Sequence, residues 1–446
     1  MKSSDLGIEI PFGSKTIAAN FDGGNLSSDA GLLLLWEIDK KLGLTSRLAD
    51  CIRDGRDQSK VKLSIAEMLS QRVFGIAADY EDCNDHDCLK SDPMLKLAAG
   101  RAPISGDDLA SQPTLSRLEN SISSTELMRM EEVLLDMFIS SHRDKPVSRL
   151  LVDADATDDP AHGQQEFEFF HGYYDCHCFL PLLVYVTADD CEQELVASVL
   201  RAGNVHAGHR LVSVLRRVVE RLKDAFPEAE IVFRGDAGMG GPAVYDFCED
   251  AEIDYVISLA KNSRLLEFGK DILRDANAIY EETAEKVRHF GEFCYAADSW
   301  RHARRVVMKA EVVSKGENPR FVVSNIVGMS AEGLYDFYCE RGDVENRIKE
   351  LKDELASGRT SCHRFLANQF RLILHSAAFV LFQALRKLLA GTEFANAQVS
   401  TLRTRLLKVG VRVRETTRRI WLMMPTSYPL KEIWMCVTSR LNLARI

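Results

Sequence analysis

Through most of the first 146 positions the apolar residues recur at helical spacing. LLLLWEIDKKL (32–42) follows Ser28, which is predicted to cap a helix, and Gly43 stands where a left-handed C-terminal glycine belongs. KLSIAEMLSQRVFGIA and STELMRMEEVLLDMFISSH carry the same i, i+3, i+4 apolar pattern. SQPTLSRLEN (111–120) is a turn followed by a short helix bearing Arg117. It reads either as the recognition helix of a helix-turn-helix or as a capped connector.

After Pro146 the period changes from helical to alternating. SRLLVDADAT (148–157), FLPLLVYVTA (179–188) and LVASVLRAG (195–203) are three strand-like runs in succession, the pattern of an antiparallel meander. HRLVSVLRRVVERLKDAF (209–226) is an amphipathic helix, AEIVFRGDAG (229–238) a strand, GGPAVYDFCEDA (240–251) a helix and DYVISLAKN (254–262) a strand. Three strands, helix, strand, helix, strand is the order of a ribonuclease H-like domain, an α/β fold whose mixed sheet is covered by helices. Residues 263–328 break the alternation. RRVVMKAEVVSK (304–315) and RFVVSNI (320–326), joined by a turn around Gly316–Pro319, mark a β-rich insertion. A helical region runs from Ser330 to about Leu389, and the tail mixes both signals. The expected layout is a mainly helical N-terminal domain (1–146), the first part of the core (147–262), the insertion (263–328), the helical part of the core (329–390) and a helical, basic C-terminal region (391–446).

Composition narrows the class. With 446 residues and 46% hydrophobic composition the chain has material for two or three cored domains. There is no apolar run near 18 residues, so no membrane partner is expected. The start, MKSSDLGIEIPFGSK, lacks the apolar core of a secretory signal. Eleven scattered cysteines suit a reducing cytoplasm better than a disulfide framework. Cys83, Asp85, His86 and Cys88, and separately Cys176, His177 and Cys178, invite a metal reading, but neither group has structural zinc spacing. They read as ordinary thiols. The net charge of −10 argues at first against a nucleic-acid protein.

Three carboxylate positions reopen that question. Asp153 and Asp155 alternate along the first strand and so share a face. Asp236 ends the fourth strand before the glycine-rich AGMGG turn, where a side chain meets a ligand over the sheet edge. The third lies in YCERGDVENRIKELK (338–352). At about 100° per residue, Tyr338, Arg341, Glu345 and Lys352 fall in one stripe about 60° wide, beside an apolar stripe of Val344, Ile348, Leu351 and Leu355. A plain solvated face with an Arg341–Glu345 pair explains that helix equally well. Three carboxylates suit two hard divalent cations, Mg²⁺ or Mn²⁺, and phosphodiester chemistry.

These residues resemble those of a DDE transposase of a bacterial insertion sequence. Tyr338, Arg341, Glu345 and Lys352 match the Y-x2-R-x3-E-x6-K signature of one large group at all four positions. YEDCNDHDCLKSDP (80–93), SQPTLSRLEN, LVDADATDDPAHGQQ (151–165), FHGYYDCHCFLPL and FRGDAGMGGP are similar to the insertion sequence 1380 family, and the likeness covers nearly the whole chain. The resemblance implies Asp155 (the Asp followed by x-Thr, here Thr157), Asp236 (in RGD) and Glu345 as catalytic metal ligands, with Asp153 the fallback for the first. It implies Tyr338, Arg341 and Lys352 as contacts to the transposon-end strand, and domain 1–146 as DNA-binding. A Trp of the insertion stacks on a base in relatives. Trp300 is the only Trp there, and it also reads as a core residue.

The implied reaction is cleavage at the element's ends followed by joining of the freed 3′-OH to target DNA. The partners are terminal inverted repeats and target DNA, with a homodimer in the DNA complex and a nucleoid-associated location in the bacterial cytoplasm. The rival readings are a ribonuclease H-like nuclease without strand transfer, an inactive transposase-derived DNA-binding protein, and an unrelated cytosolic enzyme. The charge objection weakens on inspection. Residues 346–446 hold 18 Lys and Arg against 6 Asp and Glu, a net of +12, so the other 345 residues carry −22. Arg403, Arg405, Lys408, Arg412, Arg414, Arg418 and Arg419 belong to the basic stretch.

Overall fold

The computed structural model describes residues 5–443, with side chains from residue 10 onward. The chain forms two units: Ser123–Ser376, and Met1–Ile122 with Ala377–Ile446.

In the first unit the strands are β1 (Arg149–Ala156), β2 (Asp159–Pro160), β3 (Phe169–His171), β4 (Cys176–Phe179), β5 (Leu182–Ala188), β6 (Glu194–Val199), β7 (Glu230–Gly235), β8 (Asp254–Leu259), β9 (Val287–Tyr295), β10 (Arg304–Val313) and β11 (Gly316–Ser324). Its helices are α1 (Ser124–His142), α2 (Leu211–Ala225), α3 (Pro242–Asp250), α4 (Ser263–Phe268), α5 (Lys270–Thr283), α6 (Ala331–Cys339), α7 (Gly342–Lys349) and α8 (Phe365–Leu388), the last contributing to both units. One eight-stranded mixed sheet runs β9-β10-β11-β8-β7-β1-β5-β6, and a small sheet runs β2-β4-β3. Among the described residues only β7 pairs in parallel, with β1 and with β8, and both connections run through a helix as parallel pairing requires. β1, β5 and β6 form the antiparallel meander that the alternation predicts.

One face of the sheet is a continuous apolar core. Leu150, Val152 and Ala154 of β1 pack there with Leu211, Val214, Leu215, Val218, Val219 and Leu222 of α2. That i, i+3, i+4, i+7 spacing buries a single stripe, and each large side chain contributes roughly 1.5–3 kcal/mol. The other face carries Leu151, Asp153 and Asp155, since side chains alternate, and α6 packs there through Leu334 and Tyr335 against Val256, Val307 and Val322.

Residues 263–328 hold α4 and α5 as well as strands, and β9–β11 extend the main sheet beyond β8. The hairpin turn between β10 and β11 lies at Ser314–Lys315, not around Gly316–Pro319, because Val313 pairs with Gly316 and Pro319 pairs with Ala310 inside the strand. Pro319 is tolerated there because β8 pairs only with Phe321–Ser324 and needs no hydrogen bond from it.

The second unit is helical around Leu32–Leu42, Leu44–Asp50, Ile65–Ala77, Pro93–Ala98 and Gln112–Ser121, but it opens with strands Asp5–Phe12 and Lys15–Asn20. Its C-terminal part is not all helical either. Val411–Glu415 and Ile420–Met423 form an antiparallel ribbon that also pairs with Leu26–Ser27. Gly43 terminates its helix in the left-handed conformation as expected, but Ser28 is not the cap. The cap position is Gly31, where a Cβ would sit 2.2 Å from the Leu407 Cα. Glu119 of the 111–120 helix is buried against Arg72 at 3.0 Å, which ties that helix into the core. His86 is buried beside Gln71 and Arg72, and burial together with the Arg72 charge pushes its pKa down to about 3. No disulfide forms among the described residues. Phe365–Leu388 is long and apolar enough to cross a membrane by length and composition, contrary to the absence of such a run expected above, and 89% of its apolar window is buried.

Candidate active site

The site grows out of the register of two neighbouring parallel strands. β1 and β7 pair Asp153 with Arg234 and Ala154 with Gly235, so Asp155 and Asp236 emerge side by side from the carboxyl ends of adjacent strands. Asp153, though it shares Asp155's face, has a structural role. Arg234 grips both of its carboxylate oxygens at 2.8 and 2.9 Å, and Gln193 donates a third bond at 2.8 Å. Arg234 also donates to the Phe337 carbonyl of α6 at 3.0 Å, so this fully buried pair ties β1, β7 and α6 together. Spacing alone did not separate Asp153 from Asp155. The signal was Arg234 in the RGD triplet, readable only once the pairing of β1 with β7 is known.

Asp155 receives the Arg341 guanidinium, Nη2 to Oδ2 at 2.6 Å, and accepts the Ala156 N–H at 2.8 Å. Burial raises its pKa above the ordinary carboxylate value. Arg341 opposes that rise and Asp236 adds to it. Arg341 is itself buried, and its Nε has no partner among the described residues. Asp236 closes its own turn by accepting the Met239 N–H at 3.0 Å. Gly238 is required in that turn, since a Cβ would lie 2.9 Å from the Ala207 Cβ and 3.3 Å from Asp236 Oδ1. Tyr338 is half-buried at the end of α6, hydrogen-bonded to Ser258, and burial raises its pKa.

The expected single helix through Tyr338, Arg341, Glu345 and Lys352 is broken. α6 ends at Cys339, Arg341 stands at the cap of α7, and a π turn spans Glu350–Glu354. The wider turn rotates Lys352 away from the computed stripe. Its ammonium meets Asp158 at 2.5 Å. The apolar stripe of Val344, Ile348, Leu351 and Leu355 is buried as expected. Glu345 is exposed on α7, one turn past Arg341. The buried carboxylate of this segment is Glu350, paired with Arg347 at 2.9 Å; the charges of Asp155, Arg347 and Glu350 all act on the buried Tyr185 hydroxyl. The structure therefore gathers Asp155, Asp236, Tyr338 and Arg341, and leaves Glu345 and Lys352 at its margin. Among the described residues no three acidic, His or Cys side chains are grouped closely enough to hold a metal ion. The donors present are hard oxygens, which suit Mg²⁺ or Mn²⁺ in kind.

Asp159, which the sequence reading did not single out, is almost fully buried. Its Oδ2 accepts from the Thr360 hydroxyl at 2.6 Å, its Oδ1 has no partner among the described residues, and burial lifts its pKa to about 7. Trp300 packs edge-on against Tyr245 and Tyr295, under the Arg304 guanidinium, as a core residue does.

Comparison with known proteins adds the family. No curated protein matches the chain. A solved structure described as a Mos1 transposase paired-end complex with left transposon end is 13% identical, with a TM-score of 0.17, over 40% of this chain. The match spans 57% of that structure's chain, and a likeness at this score carries no argument. The family model described as Transposase DDE domain group 1 matches residues 10–446. The chain belongs to that DDE transposase family.

Proposed function

We propose that the protein is an insertion-sequence transposase of the insertion sequence 1380 type, which cuts the ends of its element and joins them to target DNA. The observation that carries this reading is the pair Asp155 and Asp236 at the carboxyl ends of adjacent parallel strands, in a chain that matches a DDE transposase family from residue 10 to 446. The sheet order β6-β5-β1-β7-β8, with α2 and α3 as the crossovers, supports a ribonuclease H-like core.

In this reading Asp155, Asp236 and Glu345 would hold Mg²⁺ or Mn²⁺, and the ion would supply Lewis-acid activation and charge stabilisation in the phosphoryl transfer. The chain's own part is binding and orientation. Arg341 and Lys352 exchange Asp155 and Asp158 for phosphate oxygens, charge-assisted bonds that hold the scissile strand over the sheet edge. Tyr338 offers a phenol beside Asp236. Glu345, exposed in this structure, would supply the third carboxylate of the set. Two DNA ends require two such sites, so a homodimer forms on DNA.

The test uses oligonucleotide duplexes carrying the element's own inverted repeats. Asp155→Asn, Asp236→Asn and Glu345→Gln are expected to keep end binding and lose cleavage. Joining of pre-cut ends to target DNA separates a transposase from a nuclease of the same fold. Full cleavage by Glu345→Gln in Mg²⁺ would sink the carboxylate assignment.

A further inference from the structure

Arg201, just past the end of β6, is a buried cation that the reaction above does not use. It is 2% exposed, and burial draws its pKa down to about 10. A desolvated charge is costly unless it is fully bonded, and among the described residues its bonds all go to backbone carbonyls. Its Nε donates to Leu180 at 2.7 Å, and its Nη1 donates to Ala207 at 2.5 Å and to His209 at 2.8 Å.

Those carbonyls lie behind the Asp155–Asp236 pair. Leu180 returns a bond, its N–H donating to the Arg201 carbonyl at 3.0 Å. The next residue, Pro181, accepts the Thr157 N–H at 3.2 Å, two positions past Asp155. On the other side, the loop from Leu200 to Arg210 presses on the Asp236 turn. A Cβ on Gly238 would lie 2.9 Å from the Ala207 Cβ, and one on Gly208 would lie 3.4 Å from the Gly238 carbonyl oxygen. The same turn holds the Asp236 carboxylate through the Met239 N–H at 3.0 Å. One guanidinium thus joins the chain beside Asp155 to the chain beside Asp236.

The sheet leaves this work to be done. The β1–β7 ladder ends at Ala154 and Gly235, so both carboxylates lie one residue beyond it. Their separation follows from what packs behind them. A guanidinium is planar, with donors at fixed angles, and so acts as a rigid spacer between carbonyls. Resting on the DNA reaction proposed above, we propose that Arg201 is a positioning residue. It braces the Leu200–Arg210 loop against the Asp236 turn and against the chain beside Asp155, and so sets the spacing of the two carboxylates. Lysine keeps the charge but is a point donor on a flexible stem, and cannot span the same three carbonyls.

The test uses the full chain and two readouts. Hydrogen exchange of the Met239 amide, followed by mass spectrometry, reports the Asp236 turn without DNA. Single-turnover cleavage of end duplexes in Mg²⁺, with duplex affinity measured separately, reports the reaction. Arg201→Lys is expected to speed exchange at Met239 and to lower the cleavage rate roughly a hundredfold, the loss that a displacement of about 1 Å brings, with affinity unchanged. Gly238→Ala disturbs the same turn with Arg201 intact, and is expected to slow cleavage as well. Adding Ala207→Gly removes the 2.9 Å contact and is expected to restore part of the rate. If Arg201→Lys does not fold, this pair of variants decides. Wild-type exchange and cleavage in Arg201→Lys overturn the brace, as does a loss of affinity that accounts for the whole loss of cleavage, or a Gly238→Ala defect that Ala207→Gly leaves untouched. Wild-type protein that cuts no end duplex overturns the DNA reading, and the exchange readout, made without DNA, then upholds or overturns the brace by itself.

Discussion

Asp153 and Asp155 leave β1 on one face, two residues apart, and the sheet register sends them to different work. Asp153 meets Arg234 on the neighbouring strand inside the sheet, where both charges are fully desolvated. Removing one partner strands the other charge, so Arg234→Ala or Asp153→Ala is expected to lower unfolding free energy by about 3–5 kcal/mol, read from urea denaturation. Alternation along the strand made the shared face legible from sequence. The pairing between residues 81 apart was not, because no local pattern encodes a register. Asp159 gives a second test at this scale. Its folded pKa, about 7, lies above its unfolded value, so the native state binds the extra proton between about pH 4 and 7. Stability from this group is fully present below pH 4 and is lost as pH rises through 7. Asp159→Asn is expected to flatten that slope in unfolding measured across the window; an unchanged slope would refute the assignment.

Helix ends show which local signals survive folding. Ser64 and Ser123 each form a capping box with the glutamate three residues on, Glu67 and Glu126; the second helix begins at Ser124, where the sequence pattern starts it, and the first at Ile65, three residues into its pattern. Ser123→Ala is expected to cost about 1 kcal/mol in thermal or urea unfolding. Ser28 misled because the helix start is set by a long-range contact, the approach of Leu406 and Leu407 to Gly31. Gly31→Ala is therefore expected to cost more than the cap, about 1–3 kcal/mol for overpacking, and a neutral result would contradict that contact. The signature segment failed for a related reason. A helical wheel assumes one uninterrupted helix, and here a break at Glu340–Arg341 and a π turn at Glu350–Glu354 reset the angle. The apolar stripe survived because the core enforces it. The polar stripe did not, because Arg341 and Lys352 follow their partners Asp155 and Asp158.

Over the whole molecule, a net charge of −10 conceals a basic C-terminal stretch, and the structure sorts its residues into two kinds. Arg403 is buried and spends its charge on Asp79 at 2.7 Å, and Lys408 pairs with Asp29 at 2.8 Å. Arg403 is internal and Lys408 half-buried, and both charges are already paired within the protein. Arg412, Arg414, Arg418 and Arg419 are exposed on or beside the Val411–Met423 ribbon. Arg412 and Arg414 share its outward face, since Val411 and Val413 point inward, and Arg419 lies over the exposed Trp421 ring. A DNA contact made by this ribbon releases counterions, so log K falls with log salt by about 0.9 for each phosphate neutralised. Replacing all four arginines by Gln is expected to make that slope shallower by up to about 3.6, while Arg403→Gln and Lys408→Gln leave it unchanged and lower stability instead. A titration of end-duplex binding over increasing salt reads the slope directly. A slope that moves with Arg403 and Lys408 but not with the ribbon arginines would place the DNA-binding charge elsewhere.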